Sequence, residues 1–187
     1  MKKALKSLET INALISVEEQ RVLYKYASKV RKNGVIVDIG TAAGGSAFML
    51  AFGSKPSVKI HTIDPNRNPN FFTKRKEFNF DKKIKFINKI SEEVAKDFKD
   101  KIDLLFVDGI HNYLGVTNDF NWFKGFMKKD GIVMFHDYYA YSNTIGSAVD
   151  DIVKSGQVEK VKIIDSKFRG EIRTGLYIAR MKGGGNK

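Results

Sequence analysis

The chain has 187 residues, 42% hydrophobic and 29% charged, which suits one globular domain with a packed core. It has Cys 0, so disulfides and thiolate metal sites are excluded. Its formal charge of +12 would draw an acidic acceptor or nucleic acid.

The lysines from Lys74 to Lys99 are scattered among Glu and Asp, the pattern of a solvated face, with no interleaved row of aromatics as in single-strand binders. No apolar run approaches the ~20 residues of a membrane span. Met1-Lys2-Lys3-Ala4-Leu5-Lys6 lacks the apolar stretch of a signal peptide. The expectation is a cytoplasmic protein with no membrane partner.

In chain order, residues 1–33 read as a helical segment. Ser16-Val17-Glu18-Glu19 is a capping box, followed by Val22, Leu23, Tyr26 and Val30 at helical spacing, with Asn33-Gly34 as the stop. The period then changes. Short β-branched or apolar runs stand at Val35–Val37, Val58–Ile63, Ile84–Ile87, Ile102–Val107 and Ile132–Phe135. Helical stretches lie between and after them, at Ser46–Phe52, Phe71–Phe78, Glu92–Phe98, Val116–Met127 and Thr144–Lys154. This alternation predicts an α/β domain over 34–182, with a mostly parallel sheet and helices on both faces. Val161–Ile164 and Gly175–Ala179, separated by a short polar segment, suit a closing antiparallel hairpin. Residues 183–187, Gly183-Gly184-Gly185-Asn186-Lys187, read as a disordered tail.

The first strand runs into Asp38-Ile39-Gly40-Thr41-Ala42-Ala43-Gly44-Gly45-Ser46. Glycines between a strand and a helix let a ligand approach the backbone, and the helix start offers free N–H groups. The spacing Gly40-x-x-x-Gly44-Gly45 is not the G-x-G-x-x-G of a dinucleotide site. Asp38 just before the first glycine disfavours a pyrophosphate and suits an amine. Asp64, ending the second strand, can accept both hydroxyls of a ribose. It can equally be a turn residue before Pro65.

The order Asp38-x-Gly40, then Gly44-Gly45-Ser46, then Ile63-Asp64 resembles the class I S-adenosylmethionine-dependent methyltransferases. Within them, the loop resembles the small O-methyltransferases of catechol and caffeoyl-CoA type and the cephalosporin-hydroxylase-like group. The resemblance implies a Rossmann-like fold with a seven-stranded sheet. It also implies S-adenosylmethionine bound by Asp38, Gly40, Thr41, Ala42, Gly44, Ser46, Asp64 and Asp108, with Ser91 at the adenine edge. Ser91 also reads as a helix N-cap.

Ile102–Val107 delivers Asp108 to a fourth strand end, with Gly109 turning the chain and His111 three residues on. The fifth strand ends in His136-Asp137. In the resembled family such residues hold a divalent cation, so Asp108, His136 and Asp137 are candidate ligands for Mg²⁺ or Mn²⁺. The catechol-type enzymes carry Asp-Asn where His136-Asp137 stands, and an imidazole favours softer ions than Mg²⁺. The alternative is that Asp108 and Asp137 only line the acceptor pocket. His111 occupies the family's lysine-base position and is assigned, with Asp108, to catalysis as general base or acceptor-orienting group.

Tyr138, Tyr139 and Tyr141 are candidate pocket walls or core aromatics. Lys167, Arg169 and Arg173 could meet an acidic acceptor or be surface charge. His61, inside a strand, is read as packed. The expected activity is O-methylation of a small hydroxylated acceptor, with divalent-metal assistance an open element. RNA or another acidic substrate, or a non-catalytic cofactor-binding role, are the alternatives. A homodimer is compatible with the N-terminal segment.

Overall fold

The computed structural model describes residues 1–11 and 13–182, so the tail expected at 183–187 lies outside the described residues. Helix α1 (Lys2–Leu8) is followed by α2 (Val17–Ala27). The capping box forms as expected: the Ser16 side chain accepts from the Glu19 N–H at 3.2 Å, and the Ser16 N–H donates to Glu19 Oε2 at 2.8 Å. An N-cap needs extended backbone, and Ser16 adopts φ −67°, ψ 161°. The N-terminal segment therefore holds two separate helices, the second starting at the Ser16 cap. α2 also stops at Ala27, short of Asn33: the N–H groups of Lys29 and Val30 bond three residues back, to Tyr26 and Ala27.

The strands and helices then alternate: β1 (Val35–Ile39), α3 (Gly45–Gly53), β2 (Lys59–Ile63), α4 (Pro69–Glu77), β3 (Ile84–Ile87), α5 (Ser91–Asp97), β4 (Ile102–Val107), α6 (Tyr113–Phe123) and β5 (Met127–Phe135). Helix α6 gives way to a 3-10 turn, Lys124–Phe126, and β5 starts five residues earlier than its apolar run suggested. Pairing begins at Ile102–Met127 and is offset before Leu104–Ile132, where Asp130 takes a left-handed φ of 61°. Beyond a π-helical turn (Ser142–Gly146) come α7 (Ser147–Lys154), β6 (Val158–Ile164), β7 (Lys167–Phe168), β8 (Ile172–Arg173) and β9 (Leu176–Met181). The segment between the last two long strands, expected to be merely polar, is the two-stranded β7–β8 ribbon.

The main sheet has the order β3-β2-β1-β4-β5-β9-β6. The first five strands are parallel, and β9 runs antiparallel to both β5 and β6. This is the seven-stranded, mostly parallel sheet with a terminal antiparallel hairpin that the sequence led us to expect. All of β1 is buried, and alternate residues serve two cores. Ile36 joins Leu23, Phe48 and Phe71 on one face; Val37 joins Phe120, Phe123 and Ile152 on the other. Ala4 and Leu8 of α1 belong to the first core, so the N-terminal segment packs into the domain. Among the described residues no helix is long and apolar enough to cross a membrane. The strand order reverses between β1 and β4, which opens a crevice at the carboxyl ends where ligands of such sheets bind.

Candidate active site

The glycine loop is held from below and behind. Gly40 takes φ 96°, and a Cβ there would fall 2.0 Å from the Asp108 carbonyl oxygen. Only glycine lets the β1 and β4 ends approach so closely. Gly44 takes φ 93° as N-cap of α3 and gives that helix no side-chain cap. Asp64 Oδ2 accepts from the N–H groups of Thr41 and Ala42 at 3.1 and 3.0 Å, and its Oδ1 accepts from Asn66 N–H at 2.8 Å. Both Asp64 oxygens therefore brace the loop and its own turn, although the residue lines the cleft.

Asp38 is completely buried and lies beneath the cleft rather than in its wall. Its Oδ2 accepts from the Thr62 hydroxyl at 2.6 Å, and Thr62 is in turn 2.6 Å from Thr41 Oγ1. Its Oδ1 has no hydrogen-bond partner among the described residues. Burial pushes the carboxyl up to about 7, with Asp108 and Asp64 nearby adding to it and the Thr62 and Ser46 hydroxyls opposing.

The cleft itself has a volume of about 500 Å³ and is lined from Gly40, Thr41, Ala42 and Ser46 across to Ser91, Asp108, His111 and Asp137. At one end Ser91 Oγ donates to Asp119 Oδ1 at 2.5 Å. Ser91 is the first residue of α5, whose N-cap is Ile90, so the cap role expected for Ser91 is not the one it takes. Asp119, 4% exposed, was not singled out from the sequence. An acid on the apolar stripe Val116-Asp119-Phe120-Phe123 of α6 was the available signal. Burial raises it to about 6.

At the other end, His111 Nε2 lies 3.2 Å from Asp108 Oδ1, and His111 Nδ1 lies 3.7 Å from Asp137 Oδ2. Asp137 sits just past β5 at a left-handed φ of 56°. His111 packs on Tyr141 with ring centres 5.3 Å apart. Its hydrogen bond to Asp108 raises its pKa above the ordinary histidine value, against partial desolvation. Ligand atoms of Asp108, His111 and Asp137 all lie within 4.8 Å of one another, close enough to share one cation.

His136, expected as a metal ligand, lines the cleft from a nearly buried position. It is 4% exposed; its Nδ1 lies 3.1 Å from Asp108 Oδ1 and 3.4 Å from Asp137 Oδ1, and its Nε2 lies 3.3 Å from Glu19 Oε2. Both ring nitrogens are thus engaged by carboxylates, and His111 takes its place in the convergent set. Burial opposes a charged His136 ring, but Asp108, Asp137 and Glu19 together hold its pKa well above the usual value. Glu19, lowered to about 2 by His136 and its other donors despite burial, entered the sequence reading only as a helix cap.

Of the three tyrosines, Tyr141 lines the cleft, whereas Tyr138 donates to Asp150 at 2.9 Å and Tyr139 packs under Arg173. Lys167, Arg169 and Arg173 face a separate groove of about 1060 Å³ beside α1 and α2. There Arg173 makes paired bonds to Asp165 at 2.9 and 2.7 Å, and Arg169 lies over Phe168. His61 stands against Phe98 and 3.3 Å from Asp100, away from the cleft.

A family described as "Methyltransferase domain" matches residues 37–138. An uncharacterized protein of Acanthamoeba polyphaga mimivirus, R132, is 32% identical over 136 residues. That match covers 66% of this chain, which spans only 61% of the viral protein's length. Among solved structures, the O-methyltransferase from Bacillus cereus in complex with SAH superposes with a TM-score of 0.76 at 13% identity, covering 97% of this chain and 88% of that one. The O-methyltransferase TomG of Streptomyces achromogenes, in complex with SAM, gives 0.74 at 15% identity over 97% and 89%. At such identities the likeness is one of fold.

Proposed function

The chain belongs to the methyltransferase-domain family, and from that premise we propose that it moves a methyl group from S-adenosylmethionine to a hydroxyl of a small acceptor. The observation that carries this reading is the convergence of Asp108, His111 and Asp137 on the cleft that the glycine loop opens.

When bound, the cofactor supplies an already activated methyl group, so the protein's work is positioning, desolvation and removal of one proton. The unpartnered Oδ1 of Asp38, beneath the loop, fits the amino group of a methionine moiety, which would satisfy an otherwise costly buried acceptor. Ser91 and Asp119 offer hydrogen-bonding groups at the far end of the cleft, where the adenine edge was expected. His111 is the general base. With its Nε2–H donated to Asp108, the lone pair is left on Nδ1, which takes the acceptor's proton. Asp137, 3.7 Å from that nitrogen, then steadies the imidazolium.

In a metal-assisted form of the site the same three side chains would hold a divalent cation, with His111 a ligand instead of the base: two carboxylates and one imidazole suit Mn²⁺ or Mg²⁺. Such an ion would lower the pKa of the acceptor hydroxyl. A cytoplasmic location and a small hydroxylated acceptor are part of the same proposal.

The test is calorimetric titration with S-adenosylhomocysteine and with NAD, followed by transfer of labelled methyl to a panel of small phenols and alcohols, with and without Mn²⁺. Binding of S-adenosylhomocysteine alone, with label on a hydroxyl, is the expected result. Preference for NAD would sink the cofactor reading, and label arriving only on RNA would sink the acceptor reading.

A further inference from the structure

Glu19 belongs to α2, outside the stretch matched by the family, and lies 117 positions from His136 in the sequence. Capping α2 requires only one carboxylate oxygen, the one that accepts from the Ser16 N–H. Here the whole group is buried, at 1% exposure, and both oxygens are used. Oε2 accepts from Ser16 N–H at 2.8 Å and faces His136 Nε2 at 3.3 Å. Oε1 accepts from the hydroxyls of Ser166 at 2.8 Å and Thr174 at 3.0 Å, which flank the β7–β8 ribbon. A carboxylate taken out of water is tolerated only with such a set of donors.

The contact continues beyond His136. Its Nδ1 is 3.1 Å from Asp108 Oδ1, and that same oxygen is 3.2 Å from His111 Nε2. Glu19, His136, Asp108 and His111 form one unbroken row from the core to the cleft. Only a ring with hydrogens on both nitrogens serves the two carboxylates that flank His136. The ring cannot turn about its long axis without losing one of them, so Glu19 sets the angle of His136 and His136 sets the direction of Asp108.

We infer that Glu19 is a positioning residue of this site, which acts through His136 to hold the Asp108 carboxylate toward His111. The N-terminal helix is thereby a working part of the cleft rather than a cover laid over it. The inference rests on the reading of His111 as the acceptor-facing base.

The chain has only three histidines, so the ring-nitrogen spectrum of ¹⁵N-histidine-labelled protein separates His61, His111 and His136. In Glu19→Gln the His136 and His111 lines shift together while His61 stays still. Turnover falls about ten- to a hundredfold, as for a small misplacement of a reacting group, and S-adenosylhomocysteine affinity stays within about twofold. The control is Ser16→Ala, which removes the hydroxyl that caps α2 but leaves every donor of the Glu19 carboxylate, the Ser16 backbone N–H included, in place. It leaves the His111 line and turnover in place.

An unmoved His111 line in Glu19→Gln, or the same His111 shift in the control, overturns the inference and leaves Glu19 as internal glue. Should Glu19→Gln not fold, Glu19→Asp withdraws the carboxylate by one methylene and must move the His111 line; if it does not, the inference fails. Coupled His136 and His111 shifts in Glu19→Gln, together with a wild-type protein that methylates nothing, would instead sink the methyl-transfer reading and leave the coupling standing.

Discussion

Gly40 and Asp108 stand back to back across the β1–β4 seam, so close that a methyl group on Gly40 would lie 2.0 Å from the Asp108 carbonyl oxygen. The glycine loop and the end of β4 are therefore in direct backbone contact. Gly40→Ala must push them apart and also hold alanine at φ 96°. It is expected to cost about 3 kcal/mol or more and to abolish S-adenosylhomocysteine binding. Gly156→Ala, at φ 77° but facing open space, should cost only about 1 kcal/mol. Urea denaturation of the pair tests this; equal losses would mean that backbone strain, not the close approach, governs Gly40.

Asp38 gives the protein a pH dependence with a definite sign. Its folded-state pKa of about 7 lies above its ordinary value of 3.8, so the folded chain keeps a proton the unfolded chain has lost. The stability tied to this proton is complete below about pH 4 and drains away as pH rises towards 7. Asp38→Asn removes the titration. Its stability relative to wild type should therefore improve by about 2–3 kcal/mol between pH 5 and pH 8, while its affinity for S-adenosylhomocysteine drops. Denaturant midpoints at the two pH values decide it, and a difference that does not change with pH would show that Asp38 is ionised in the fold.

The Ser91–Asp119 pair makes a separate prediction at the other end of the cleft. Ser91→Ala removes the one hydrogen bond found on Asp119 among the described residues. It should weaken S-adenosylhomocysteine binding by about 1 kcal/mol. Asp119→Asn should weaken binding too, yet cost little stability at pH 8, because burial already disfavours the charge there. Calorimetry and thermal melts read both. Intact binding in Ser91→Ala alongside a collapsed Asp119→Asn would make the pair a structural contact only.

The two histidines at the cleft should respond in opposite ways. His111→Ala is expected to cut turnover about 10²- to 10⁴-fold with binding of S-adenosylhomocysteine unchanged. His136→Ala leaves the buried Glu19 carboxylate and the half-buried Asp108 carboxylate facing each other without the ring between them. It should destabilise the fold by about 3–5 kcal/mol. Turnover of the first and a melting curve of the second are the measurements. A stable His136→Ala protein would remove the ion-pair account of this row.

Much of this was local enough to read from the residues in order. The alternation of short β-branched runs with amphipathic stretches, the capping box at Ser16, and glycines at Gly40 and Gly44 each depend on near neighbours. A strand's carboxyl end can be located from its last apolar residue. The sequence therefore placed Asp38, Asp64, Asp108 and Asp137 at one edge of a parallel sheet. Boundaries such as the end of α2 or the start of β5 drifted, since they hinge on single turns that apolar spacing does not record.

The direction of each side chain was decided by tertiary packing alone. Asp64 turned its oxygens onto the loop because the N–H groups of Thr41 and Ala42 were within reach. His136 spends its ring nitrogens on carboxylates because a buried acid from α2 meets it, while His111 joins Asp108 and Asp137 in the convergent set. Glu19 and Asp119 joined the site from helices whose spacing marks only an apolar stripe and a cap. Periodicity repeats over a few residues, whereas the row from Glu19 to His111 is closed by contacts between segments that meet only once the sheet is assembled.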